Sequence, residues 1–169
     1  EKYVWHFDML HHASRNAAYM EALSRLPWPK LAREGGARGG DILALDVGCG
    51  SGLLGLMLLQ QCPKTQPLRV VGVEADHALA QVAADNAAKG GNGAHHMEVR
   101  TCVSTRLASL AGHVKSGGDS CRRASLVVSE LFDSALLGEG VLPTLRHAAE
   151  KLLLPGYYSV PSRAEIWAV

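Results

Sequence analysis

The sequence predicts an α/β fold whose core is a doubly wound, mostly parallel β-sheet. Four apolar runs with the length of buried strands alternate with segments that have the residue pattern of helices. This alternation is typical of a parallel sheet covered by helices, and not of a β-sandwich or a helix bundle. The predicted strands are DILALDVG (41–48), LRVVGVEAD (68–76), HMEVRTCV (96–103) and ASLVVSEL (124–131).

Helical patterns precede the first strand and follow three of the four strands. Ser14 is a candidate N-cap for the first helix, whose apolar residues recur every third position. Pro143 is tolerable near the start of the last helix, and residues 157–169 have an extended pattern. The predicted helices are SRNAAYMEALSRL (14–26), GSGLLGLMLLQQC (50–62), HALAQVAADNAAKGG (77–91) and VLPTLRHAAEKLLL (141–154).

Glycine-rich and polar stretches indicate how the chain is divided. Residues 27–40 contain PWPK and REGGARGG, which predict a flexible link, and residues 105–123 form a polar insertion. We therefore expect a helical segment and link at 1–40, followed by one ligand-binding domain at 41–160. Because the first residue is Glu and not Met, we expect the chain to be part of a longer protein.

The bulk composition excludes several classes of function. A net charge of +1 gives no electrostatic reason to expect a nucleic-acid partner or a membrane surface. The longest apolar run, GLLGLMLL, is too short to cross a bilayer. The four cysteines form no CxxC pair, so we expect reduced thiols, no zinc site and a cytoplasmic or nuclear location. We expect the paired histidines 11–12 and 95–96 to be surface residues.

The segment LDVGCGSG (45–52) joins the first strand to the next helix. Gly48, Gly50 and Gly52 allow a tight turn that a ligand can approach closely, and the amides of the helix can meet an anion. A dinucleotide fingerprint, GxGxxG, would require glycine at position 53, where this chain has leucine. The spacing therefore disfavours a nicotinamide or flavin dinucleotide. The alternative is a tight turn that binds no ligand.

An acid ends the second predicted strand. Glu74 lies twenty-two residues after Gly52, where a carboxylate can accept hydrogen bonds from both hydroxyls of an adenosine ribose. The alternative is a solvated acid at a strand end. Asp76, which follows closely, could instead cap the next helix.

A loop with three acids follows the fourth predicted strand. SELFDSALLGEG (129–140) carries Glu130, Asp133 and Glu139, which repel one another unless a cation lies between them. The loop therefore predicts a site for a positively charged group. The alternative is a solvated loop whose acids cap a helix.

These motifs together resemble the class I S-adenosylmethionine-dependent methyltransferase fold, which is Rossmann-like, and within it the protein arginine N-methyltransferase family. SELFDSALLGEG resembles the double-glutamate loop of that family, and it is closest to the monomethylating (type III) branch. Glu130 and Glu139, nine residues apart, correspond to the two glutamates, and Asp133 corresponds to an acid of that branch. DMLHHASRN (8–16) resembles the family's N-terminal segment.

The resemblance implies S-adenosylmethionine as the cofactor and S-adenosylhomocysteine as the product. It also implies arginine-containing protein substrates, such as histones or RNA-binding proteins, and a dimeric or pseudo-dimeric full-length enzyme. The family continues into a β-barrel, which would begin at residues 161–169. The implied cofactor-binding residues are Arg15, Asp46, Gly48, Gly50, Gly52, Glu74, Ala75, Val103, Ser104 and Glu130. The implied catalytic residues are Glu130, Glu139 and Asp133, and the implied substrate-binding residues are Met9, Glu130, Asp133 and Glu139.

The chemistry explains why such a site needs acids. Both the guanidinium of arginine and the sulfonium of the methyl donor are positive, so carboxylates must offset their repulsion and align them. Glu130 and Glu139 would hold the guanidinium, while Asp133 would add charge and narrow the mouth against a second methylation. For Arg15 the alternative is a surface arginine paired with Glu21 or solvent. The competing functions are a small-molecule methyltransferase and a non-catalytic scaffold.

Overall fold

A computed structural model describes residues 3–35, 41–91, 94–110, 123–133 and 135–167 of the 169-residue chain. Three helices precede the sheet: α1 (Val4–His11), α2 (Ala13–Ser24) and α3 (Trp28–Gly35). The strands are β1 (Ile42–Val47), β2 (Leu68–Glu74), β3 (His95–Thr101), β4 (Ala124–Ser129) and β5 (Leu153–Val160). Between them lie α4 (Leu53–Gln61), α5 (His77–Gly90), a 3₁₀ turn (Ser104–Arg106), α6 (Val141–His147) and a π-helical turn (Ala148–Leu152).

The five strands form one parallel sheet in the order β3-β2-β1-β4-β5. Val47, the last residue of β1, is in register with Val73 on one side and with Ser129 on the other. The carboxyl ends of the three central strands therefore lie level with one another. The strand order reverses between β1 and β4, which opens a crevice at this edge of the sheet.

The core lies on both faces of the sheet. Every residue of β1 is buried, as expected for a central parallel strand covered on both sides. One apolar cluster includes residues of α2, α3, α4 and α5, and a second lies on the opposite face beneath the π-helical turn. The doubly wound architecture that the sequence predicts is confirmed.

Two predicted boundaries were wrong. The expected link at 27–40 contains α3, because Trp28 and Leu31 on this helix are 5% and 1% exposed and pack into the core. Residues 36–40, the rest of that link, lie outside the described part of the chain. The last helix ends before Leu154 because Leu154 precedes Pro155. A proline ring clashes with the residue before it when that residue is helical. The chain enters β5 directly.

The expected pair of surface histidines at 95–96 was half wrong. His96 is exposed, but His95 is 2% exposed and lies on the side of β3 that also carries the core residue Met97. Successive residues of a strand point to opposite faces, so a strand that packs against α5 must bury one of the two. In the described part of the chain, no helix has both the length and the apolarity that a bilayer crossing requires.

Candidate functional site

A cavity of about 430 Å³ lies at the crevice beyond the carboxyl ends of β1, β2 and β4. Its walls come from α1, α2, the glycine turn, the strand ends and the beginning of α6. Ten of the predicted site residues line it: Met9, Arg15, Gly48, Gly50, Glu74, Ala75, Val103, Ser104, Glu130 and Glu139. Three other predicted site residues, Asp46, Gly52 and Asp133, are not among its lining residues. The topology thus brings together residues that are far apart in the sequence.

The glycine turn has the backbone conformation that the sequence predicts. Gly48 and Gly50 have φ angles of +69° and +54°, which residues with a side chain rarely adopt. A Cβ atom on Gly48 would lie 2.5 Å from Leu131 Cδ2, and one on Gly50 would lie 2.6 Å from His6 Cε1. Gly52, with φ +89°, is the N-cap of α4 and packs near Ala83 instead of lining the cavity. Its position indicates a role in helix packing, and its predicted contact with the cofactor stays a prediction.

Glu74 joins the glycine turn to the beginning of α5. Its Oε2 accepts a hydrogen bond from the Gly50 amide and its Oε1 accepts one from the Asp76 amide, each at 2.8 Å. A carboxylate offers about four lone-pair directions, so these two bonds leave capacity for hydroxyl donors in the cavity. Asp76 accepts hydrogen bonds from the Ala78 and Leu79 amides, so it does cap α5.

Asp46 is not among the cavity-lining residues, and its predicted contact with the cofactor stays a prediction. The residue is fully buried, and its Oδ2 accepts a hydrogen bond from the Gly55 amide at 2.7 Å, which ties β1 to α4. Its Oδ1 has no hydrogen-bond partner among the described residues. Burial raises the pKa of this carboxyl to about 7, the Gly55 bond opposes the shift, and the charge of Glu74 adds to it.

Arg15 and Glu130, which both line the cavity, form an ion pair. Arg15 Nη2 lies 3.1 Å from Glu130 Oε2, and the two side chains are 16% and 22% exposed. Arg15 Nη1 donates to Asn16 Oδ1 at 2.8 Å, whereas the buried Nε has no hydrogen-bond partner among the described residues. The alternative pairing with Glu21 is not formed, because Glu21 pairs with Arg25 on the surface of α2. One buried donor of a cavity-lining cation is therefore available to an anionic ligand.

Glu139 supplies a second carboxylate to the same cavity. It immediately precedes Gly140, the N-cap of α6, and it lines the cavity together with Glu130. Partial burial raises the pKa of the Glu139 carboxyl, and the negative charges of Glu130 and Asp133 raise it further. The charges that disfavour ionisation of Glu139 would favour binding of a cation beside it.

Asp133 lies in the loop that connects these glutamates, and its predicted contact with a substrate stays a prediction. Its Oδ1 accepts hydrogen bonds from the Ala135 and Gly138 amides, each at 3.1 Å, and the residue is exposed. Aspartate commonly closes a turn by bonding amides that follow it in the chain. A Cβ atom on Gly138 would overlap Asp133 Oδ2, so the turn also requires glycine at that position. Asp133 organises the loop that leads to Glu139.

Sequence reasoning predicted Met9 of α1 but assigned no site role to three other residues at or near this helix. Tyr3, His6 and Leu10 line the cavity, and their spacing of three and four residues places them on one face of α1. The Tyr3 hydroxyl donates to the carboxylate of Asp76 at 3.2 Å. His6 is 2% exposed; burial lowers its pKa, Glu74 raises it and Arg15 lowers it. The helical spacing was the available signal, but a polar histidine in the stripe weakens it.

Comparisons with known proteins support one family. Protein arginine N-methyltransferase 7 of Drosophila willistoni is 33% identical over 161 residues, which are 95% of this chain and 21% of that protein. Arginine N(omega)-methyltransferase of Streptomyces achromogenes subsp. streptozoticus is 34% identical over 163 residues, which are 96% of this chain and 38% of that protein. The chain thus spans only a part of each relative. No family model matches the chain.

The fold has counterparts among solved structures. Trypanosoma brucei PRMT1, solved as an enzyme-prozyme heterotetrameric complex with AdoHcy, has a TM-score of 0.69 and 22% sequence identity. The match covers 93% of this chain and 41% of that one. This likeness confirms the predicted methyltransferase fold. The chain is thus similar in sequence, over 95% of its length, to a part of protein arginine N-methyltransferase 7, and it shares the fold of the solved PRMT1.

Proposed function

We propose that the chain is the S-adenosylmethionine-binding part of an enzyme that methylates a guanidino nitrogen of arginine in proteins. The observation that carries the proposal is the presence of Glu130 and Glu139 in one cavity with the glycine turn, Glu74 and Arg15. A general small-molecule site would not need two carboxylates beside a charged arginine. A scaffold would not need to keep them in a cavity.

The residues of the cavity fit S-adenosylmethionine. Its carboxylate would satisfy the buried Nε of Arg15, and its ribose hydroxyls would donate to the remaining lone pairs of Glu74. Val103 and Ser104, which follow β3, would contact the adenine beside Ala75. A cavity of about 430 Å³ is within the range of small-molecule sites. When bound, the cofactor supplies a methyl group on a positively charged sulfur.

Glu130 and Glu139 would bind and orient the acceptor. Arg15 pairs with Oε2 of Glu130, and Oε1 would bind the guanidinium of a substrate. Carboxylates bind a planar guanidinium through paired, charge-assisted hydrogen bonds, so the two glutamates can fix one terminal nitrogen toward the methyl group. Their negative charge also offsets the repulsion between the two cations. Most of the catalytic effect would come from this positioning and this fixed field.

The two relatives favour different acceptors, which gives a second candidate function. The Drosophila willistoni protein is named for arginine in proteins, whereas the Streptomyces achromogenes enzyme is named for arginine itself. The second name supports the small-molecule alternative in the specific form of free arginine. We propose protein arginine first, with monomethylarginine as the product, because the loop around Asp133 resembles the monomethylating branch. The family resemblance supports a dimeric or pseudo-dimeric full-length enzyme, and the absence of a CxxC pair supports a cytoplasmic or nuclear location.

Calorimetric titration of the chain with S-adenosylmethionine tests the cofactor assignment. NAD is the comparison ligand, Glu74→Ala removes the acid at the end of β2, and Glu150→Ala removes an exposed acid outside the cavity. We expect binding by the wild type and by Glu150→Ala, no binding of NAD, and loss of binding in folded Glu74→Ala. A folded wild type that does not bind S-adenosylmethionine would contradict the proposal.

The acceptor is tested on the full-length enzyme. Rates of methyl transfer to an arginine peptide and to free arginine are compared at equal concentrations, and the products are separated by mass. A faster reaction with the peptide that stops at one methyl group supports the first proposal. A faster reaction with free arginine supports the second candidate, and no transfer to either acceptor would contradict both.

A further inference from the structure

Tyr19, which is not among the cavity-lining residues, contacts Arg15 and the residue that precedes Glu130, the two members of the ion pair in the cavity wall. Its hydroxyl donates a hydrogen bond to the carbonyl oxygen of Ser129 at 2.9 Å. Ser129 is the last residue of β4, is 1% exposed, and immediately precedes Glu130. The Tyr19 ring also lies beneath the guanidinium of Arg15, whose Cζ is 5.1 Å from the ring centroid. One side chain of α2 therefore touches Arg15 and the backbone that leads to Glu130.

These two contacts and the ion pair link Tyr19, Arg15 and Glu130 in a ring. The Tyr19 ring lies beneath the Arg15 guanidinium, Arg15 pairs with Glu130 at 3.1 Å, and the carbonyl oxygen of Ser129 accepts a hydrogen bond from Tyr19. A guanidinium stacked on an aromatic face can still donate hydrogen bonds in its own plane, so the two interactions of Arg15 are compatible. Burial raises the pKa of the Tyr19 hydroxyl, and the charge of Glu130 raises it further, so the hydroxyl stays a donor at neutral pH.

We propose that Tyr19 is a positioning residue that sets the placement of Arg15 relative to Glu130. The inference rests on the proposed function, in which Arg15 meets the carboxylate of the methyl donor and Glu130 meets the guanidinium of the acceptor. The placement of these two groups decides how donor and acceptor are aligned. Displacement of a reacting group by about 1 Å can lower a rate by about 100-fold, so a residue outside the cavity can control turnover.

Two substitutions separate the two contacts of Tyr19. Tyr19→Phe keeps the ring beneath Arg15 and removes only the donor to Ser129, whereas Tyr19→Leu removes both contacts. Tyr158→Phe is the matched control, because Tyr158 is also a half-buried tyrosine beneath a cation, Lys30 at 5.6 Å from its ring centroid. Tyr158 lies on β5 and is not among the cavity-lining residues.

The measurements are kcat and both KM values for methyl transfer by the full-length enzyme, the Kd for S-adenosylhomocysteine, and the melting temperature. We expect Tyr19→Phe to lower kcat by about 10-fold while the Kd changes by less than about 3-fold. We expect Tyr19→Leu also to raise the Kd by about 10-fold, because Arg15 loses the ring that supports it. Tyr158→Phe should leave kcat and Kd unchanged. A Tyr19→Phe protein that melts earlier but keeps the wild-type kcat would reduce Tyr19 to a stabilising residue and overturn the proposal.

A second readout does not depend on activity. In ¹⁵N-labelled protein, Tyr19→Phe should shift the resonances of the Arg15 Nε–H group and of the Glu130 backbone amide, whereas Tyr158→Phe should shift neither. If the wild type transferred no methyl group, the proposed function would fail. The resonances would still show whether Tyr19 sets the placement of Arg15 relative to Glu130. Unchanged resonances in folded Tyr19→Phe would overturn the proposal whether or not the enzyme is active.

Discussion

Arg15 Nη2 lies 3.1 Å from Glu130 Oε2, so an arginine of the chain itself occupies one oxygen of the carboxylate proposed to bind a substrate arginine. Arg15 thereby offsets part of the repulsion between Glu130 and Glu139 before any ligand arrives. Its buried Nε has no hydrogen-bond partner among the described residues, and in the proposed function the cofactor carboxylate would satisfy it. The pair joins the proposed cofactor region to the proposed acceptor region.

Glu130→Gln should separate methyl transfer from cofactor binding. The amide retains the shape of the side chain but loses the charge that binds a guanidinium, so we expect kcat/KM for the acceptor to fall by about 100-fold or more. The Kd for S-adenosylmethionine, measured by calorimetry, should change only a few-fold. Glu139→Gln should act in the same direction because Glu139 lines the same cavity. Full activity in a folded Glu130→Gln enzyme would exclude the proposed role.

Gly50→Ala should destabilise the protein by more than the cost of a positive φ angle for alanine. The new Cβ would lie 2.6 Å from His6 Cε1, in addition to the cost of a positive φ for alanine. Gly156→Ala is the matched control, since Gly156 has φ +78° and no atom within 4 Å of the new Cβ. Thermal melting and calorimetry measure both variants. We expect about 1 kcal/mol of destabilisation in the control, and a larger loss together with weaker cofactor binding in Gly50→Ala. Equal losses would show that His6 moves away without cost.

Asp46→Asn should change how stability depends on pH. Burial raises the pKa of Asp46 from its ordinary value of 3.8 to about 7, so the folded state holds this proton more strongly than the unfolded state. The wild type should therefore lose stability as the pH rises from about 4 to 7. The melting temperature of Asp46→Asn relative to the wild type should rise over that interval by about 5 °C or more.

The matched control for that experiment is Asp85→Asn, which changes an exposed aspartate on α5. Its melting temperature should follow that of the wild type across the same interval. A constant difference between Asp46→Asn and the wild type would show that Asp46 is ionised in the folded protein throughout.

Asp133 substitutions should distinguish loop organisation from substrate contact. Asparagine keeps an oxygen that can accept from the Ala135 and Gly138 amides, whereas alanine keeps none. We therefore expect Asp133→Asn to retain a rate within about 3-fold of the wild type and Asp133→Ala to lose about 10-fold or more. The measurement is the initial rate with an arginine peptide, together with the ratio of mono- to dimethylarginine. If asparagine were as damaging as alanine, the charge of Asp133 would act on the substrate directly.

The sequence by itself determined the parallel sheet and the general position of the site. Continuous apolar runs can be buried only in a strand covered on both faces, so β1, β2 and β4 were predicted to within a few residues. The carboxyl ends of parallel strands meet at one edge, and this brings Gly48, Glu74 and Glu130 to one cavity. Local pattern suffices for these features because each strand carries its own burial signal.

Only the tertiary structure decided which side chains face the cavity. Asp46 and Asp133 were indistinguishable from ligand-binding acids in the sequence, yet one is buried behind the turn and the other closes a loop. His6 and Tyr19 carried no motif, but the fold brings His6 of α1 to Gly50 and Tyr19 of α2 to Ser129. The direction of a side chain depends on contacts with residues distant in the chain, and such contacts leave no periodic trace in the sequence around it.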